Sequence, residues 1–120
     1  MPEEDNTFAA SVKVMRSYDY CHFEVTLSTD RKLDVHGVNE MRKQAQRLAD
    51  EAVRQYAKAK ELVESELQFS YGLERIEREV GEIRTKPESE WTPPEKAEVK
   101  ALEDYRHYEK FGYDYEDDEI

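Results

Sequence analysis

The sequence predicts an α+β fold that is mostly α: an N-terminal β-hairpin, a long helix with room for a kink, a shorter C-terminal helix and an acidic tail. Three observations predict it. Residues 8–16 and 20–28 each alternate apolar and polar side chains with period two. Residues 38–83 space apolar side chains three and four apart. Residues 92–112 open on a helix-capping signature and close on a glycine. The 120-residue chain is then expected to hold one domain over 8–111. A flexible acidic segment, 1–7, precedes it, and a tail, 112–120, with five acids in its last seven residues, follows it.

In "FAASVKVMR", Phe8, Ala10, Val12 and Val14 share a face; in "YCHFEVTLS", Cys21, Phe23, Val25 and Leu27 do. The two sets have opposite parity, so one uninterrupted strand would expose one of them. A turn near "RSYD" restores a common face and makes a hairpin, with a bulged extended segment as the alternative and a further turn expected at "STDRK".

Asp34 then reads as a helix N-cap, with Leu33 and Val38 spaced for a hydrophobic staple. From Val38 to Ile83 a heptad-like seam runs through Met41, Ala45, Leu48, Ala52, Ala59, Leu62, Phe69, Leu73, Ile76 and Val80. Gly72 and Gly81 sit within it, each at a cost of about 1 kcal/mol relative to alanine in a helix interior. Two paths fit: one helix kinked near "FSYGL" and running to about Thr85, or two helices reversing near Gly72. The unbroken register favours the first. "TKPESEWTP" is a connector, and Thr92-Pro93-Pro94-Glu95 starts the last helix, 93–111, whose contact residues are Val99, Leu102, Tyr105, Tyr108 and Phe111.

A helix of more than forty residues would extend over roughly 65–70 Å at 1.5 Å per residue. A hairpin, marginal alone in water, and one shorter helix cannot cover its stripe. The expectation is a homo-oligomer, a dimer or higher, through the 38–83 seam.

Charge is unevenly distributed within the net −11: residues 1–40 carry −4, residues 41–60 carry +4 and residues 61–120 carry −11. Such a surface repels duplex phosphate and attracts a basic protein partner. Glu103, Asp104, Asp114, Glu116, Asp117 and Asp118 are the candidate partner-binding residues. No apolar run suits a membrane span, "MPEEDNTF" lacks the basic and apolar regions of a signal peptide, and a single cysteine precludes an intrachain disulfide. Cytoplasmic residence is expected.

"MRSYDYCHFEVTL" concentrates reactive and aromatic side chains. With Cys21, Phe23, Val25 and Leu27 facing a core, Tyr20, His22, Glu24 and Thr26 face the other way, with Arg16 and Tyr18 near the turn on that side. Aromatic rings and a guanidinium on an open sheet face suit a base and a phosphate. Arg16, Tyr18, Tyr20 and His22, with Arg47 and Arg54 of the basic stretch, are therefore candidate ligand-binding residues. The competing reading is a sheet face covered by a helix or a partner chain. In the basic stretch, Asp50 and Glu51 are spaced to pair with Arg54 and Arg47 on a solvated face.

Catalysis has little support. Cys21 and His22 are neighbours on a strand and point to opposite faces. The carboxylates fall on predicted solvent faces, with no pair placed in a pocket where a carboxyl would hold its proton. Gly-rich phosphate loops, nucleophile elbows and metal-ligand spacings are missing. The expectation is no enzyme, no catalytic residue, no metal and no cofactor.

"SYDYCHFEV", "VNEMRKQAQRLADEAVRQY" and "WTPPEKAEVKALEDY" together resemble small uncharacterised proteins of phages and prophages. The likeness runs from about Val12 to the acidic end and carries over no functional residue. It implies a small viral protein acting inside a bacterial host, of the kind that blocks host defence. The expected function is thus a non-enzymatic oligomeric binding protein that inhibits a defence system by binding a protein. The alternatives are sequestration of a nucleotide or cyclic-nucleotide signal where hairpin and helix meet in an oligomer, and a structural phage component.

Overall fold

The computed structural model describes residues 8–111; the expectations for 1–7 and 112–120 lie outside the described residues. The predicted fold class is found: an antiparallel hairpin of β1 (Phe8–Tyr18) and β2 (Cys21–Leu33) precedes three helices, α1 (Val35–Glu66), α2 (Ser70–Ile83) and α3 (Pro93–Phe111). The chain divides into two compact units, one up to Arg54 and one from Gln55. Each holds its own apolar cluster. Among the described residues no helix is long and apolar enough to cross a membrane.

In the first unit the parity problem is solved by a two-residue turn at Asp19-Tyr20. Val14 then lies opposite Val25 and Val12 opposite Leu27, so the two apolar sets reach one face. That face packs Val14 with Ala45 and Ala49 of α1 and with Val12, Val25 and Leu27. The second turn expected at "STDRK" does not form. The register shifts instead, from Ala10 opposite Thr29 to Phe8 opposite Leu33, and β2 continues. The hydroxyl of Thr29 accepts the Arg31 N–H at 3.1 Å, so the polar cluster makes an irregularity within the strand. Asp34 caps α1 as its sequence position suggests: its Oδ1 accepts the Gly37 N–H at 2.8 Å.

In the second unit the single helix running to Thr85 is not found. α1 ends at Glu66 and α2 starts at Ser70. Residues Gln55 to Leu62 line a groove with Thr92–Pro94, and Glu64 to Gln68 line another with Ala101–Tyr108, so the end of α1 runs in the direction of α3. Glu77 meets Arg106 at 3.1 Å and Arg84 meets Glu103 at 2.8 Å, so α2 runs against α3. The chain therefore reverses over Leu67–Phe69. Gly72 permits this, because a Cβ there would lie 2.2 Å from the Glu66 carbonyl oxygen. Leu67 turns into a core with Ile76, Val80, Ile83, Val99, Ala101 and Leu102. The capping box of α3 is present: the Thr92 N–H donates to Glu95 Oε1 at 2.9 Å and the Glu95 N–H to Thr92 Oγ1 at 3.3 Å.

Candidate functional site

The hairpin end is built by its turn. Asp19 (φ 54°) and Tyr20 (φ 62°) both lie in the left-handed region, the pattern of a type I′ turn that matches the twist of the flanking strands. Glycine or asparagine usually fills such positions; for tyrosine the conformation costs roughly 1–2 kcal/mol. Tyr20 is 95 % exposed, and Tyr18, next to the turn, is about half exposed. An aromatic ring is thus held, exposed, at the tip of the hairpin.

The six candidate ligand-binding residues are divided among the two faces of the hairpin, its turn and α1. Arg16 lies opposite Phe23 and Tyr18 opposite Cys21, which places both on the helix-facing side; the expectation that they share a face with His22 is corrected. The cause is the turn's position, because a two-residue loop at 19–20 pairs even positions of β1 with odd positions of β2. The Arg16 Nε–H donates to Asp50 Oδ1 at 2.9 Å, tying the hairpin to α1. His22 lies on the outer face, its Nδ1 2.9 Å from the Ser17 hydroxyl. Tyr20 belongs to neither face, being in the turn itself. Arg54 pairs with Glu51 at 2.6 Å, and Asp50 is taken by Arg16 instead of Arg54. Arg47 is exposed on α1.

Of the candidate partner-binding acids, Glu103 pairs with Arg84 at 2.8 Å, and Asp104 pairs with Lys60 at 3.0 Å and Lys100 at 2.8 Å. Their charge is largely answered within the chain. Asp114, Glu116, Asp117 and Asp118 lie outside the described residues.

One arrangement was not anticipated. Glu79 of α2 and Glu98 of α3 hydrogen-bond to each other, beside a cavity of about 290 Å³ that Glu82, Ile83, Lys86 and Glu95 also line. Burial, then the hydrogen bond to Glu79, pushes the Glu98 carboxyl up to about 8. Glu79 is held below the ordinary carboxylate range by that same hydrogen bond and by Arg75, whose Nη1 is 2.6 Å away. At neutral pH the Glu98 hydroxyl donates to an ionised Glu79. The expectation that no carboxyl pair occupies a pocket is thus corrected. A signal was present: Glu79 falls on the stripe of Ile76, Val80 and Ile83, and Glu98 on that of Leu102 and Tyr105. Among the described residues no group of three or more His, Cys, Asp or Glu side chains is placed to hold a metal ion.

Compared with protein-family models, with curated proteins and with solved structures, the chain matches none.

Proposed function

We propose that this is a non-enzymatic binding protein that self-associates and engages a protein partner through the tip of its hairpin. The observation that carries the reading is Tyr20: a tyrosine in a left-handed turn whose side chain is 95 % exposed at the tip. Tyrosine is a frequent anchor of protein interfaces, because it brings large contact area with few rotatable bonds. Tyr18, next to the turn, adds half-exposed aromatic surface beside it. The partner surface is assigned to this tip rather than to Glu103 and Asp104, which are already paired.

The resemblance to small phage and prophage proteins makes a host protein the partner class, and inhibition of a defence protein the consequence of binding. Affinity capture from bacterial lysate, run in parallel with wild-type protein and Tyr20→Gly, tests the reading. It expects a protein retained by the wild type and lost, by at least about tenfold, with the variant, the scale of one interface anchor. Equal retention by both would remove the tip from the interface.

A further inference from the structure

The Glu79–Glu98 contact joins α2 to α3, and its partners reach the end of α1. Arg75 holds Glu79 through Nη1 at 2.6 Å and Glu66, in the last turn of α1, through Nη2. Glu98 Oε2 is buried and has no hydrogen-bond partner among the described residues. Two carboxyl groups in direct contact at a helix interface need a proton between them, since two adjacent carboxylates repel.

We propose that the α2–α3 junction is a proton-operated clasp, in which the proton shared by Glu79 and Glu98 holds the two helices together and its loss at higher pH loosens their packing.

The surrounding groups fit this role. From α2, Arg75 and Arg78 draw the negative charge onto Glu79, which leaves the proton on Glu98. Glu66, from α1, adds to the negative potential at Glu98, and Arg75 partly offsets it. Lys86, the cation lining the cavity, is engaged by Glu95 at 2.6 Å and so does not compensate a second carboxylate. Glu82 adds further negative charge to the cavity wall.

The sign follows from linkage. Glu98 keeps its proton in the folded chain up to about pH 8, whereas an unfolded glutamate releases it near the ordinary value of about 4.3. The folded state therefore binds the extra proton across that window. Stability falls as pH rises through it, and the loss is complete above the folded value.

Trp91, the single tryptophan, packs partly buried against the core that α2 and α3 share, so its emission reports the clasp. A fluorescence titration of the full chain between pH 6 and 9 is expected to red-shift with a midpoint near pH 8. Glu98→Gln, which keeps a donor and cannot ionise, is expected to abolish the shift and to flatten the fall of Tm over the same range. Carbon-13 NMR of the Glu98 side-chain carboxyl in the wild type reads the proton directly, whether or not the variant folds. A midpoint near 8 supports the clasp. A midpoint below about 5, the range of an ordinary carboxyl, or a pH response unchanged in Glu98→Gln, overturns it.

Discussion

At the turn of the hairpin, Tyr20 occupies a backbone conformation that glycine adopts freely and tyrosine does not. Tyr20→Gly is therefore expected to raise stability by about 1 kcal/mol, read by denaturant unfolding, while weakening the proposed interface. A loss of stability would mean that the ring packs. The Arg16–Asp50 bridge is a different case. Its side chains are 37 % and 50 % exposed, so a double-mutant cycle is expected to give a coupling below about 1 kcal/mol. At this scale the sequence was half legible. Strand parity separates Cys21 from His22 and selects Phe23, Val25 and Leu27 for packing. It cannot place Arg16 and Tyr18, because their face depends on which two residues make the turn, and Asp-Tyr is a poor type I′ signal.

The elements show the same division between local and distant causes. The caps at Asp34 and at Thr92–Glu95 were legible, because each is a contact within a few residues. The reversal between α1 and α2 was not, because apolar spacing continues from Val63 to Ile83 whether the chain runs straight or turns back. Gly72 and Gly81 look equivalent in sequence, yet their surroundings separate them. Gly72→Ala forces a Cβ against the Glu66 backbone and is expected to destabilise by more than about 2 kcal/mol, through displacement of α2. Gly81→Ala meets no atom within 4 Å, and is expected to stabilise α2 by about 1 kcal/mol. Thermal unfolding of both variants checks the contrast. Similar shifts of one sign would contradict the reversal at Leu67–Phe69. The Glu79–Glu98 pair was half legible: each glutamate falls on an apolar stripe, but the two meet only because α2 runs against α3.

For the whole molecule, the seam from Val38 to Ile83 has two fates. Ile76, Val80 and Ile83 are consumed in the chain's own core, whereas Leu48, Leu62 and Phe69 stay 44 %, 59 % and 51 % exposed. The proposed self-association would use the exposed residues of the seam. Native mass spectrometry is expected to show a dimer or higher species at micromolar concentration, shifted towards monomer in Leu48→Lys or Leu62→Lys; a monomer in the wild type would contradict it. The central claim remains that the hairpin tip meets a protein partner, and site-specific photocrosslinking in bacterial cells tests it most directly. A photoreactive phenylalanine analogue at position 20 is expected to give one discrete protein adduct, competed by the wild type but not by Tyr20→Gly. The same analogue at position 26, on the outer face of β2, is expected to give none. No adduct at position 20, or equal adducts at both positions, would contradict the claim.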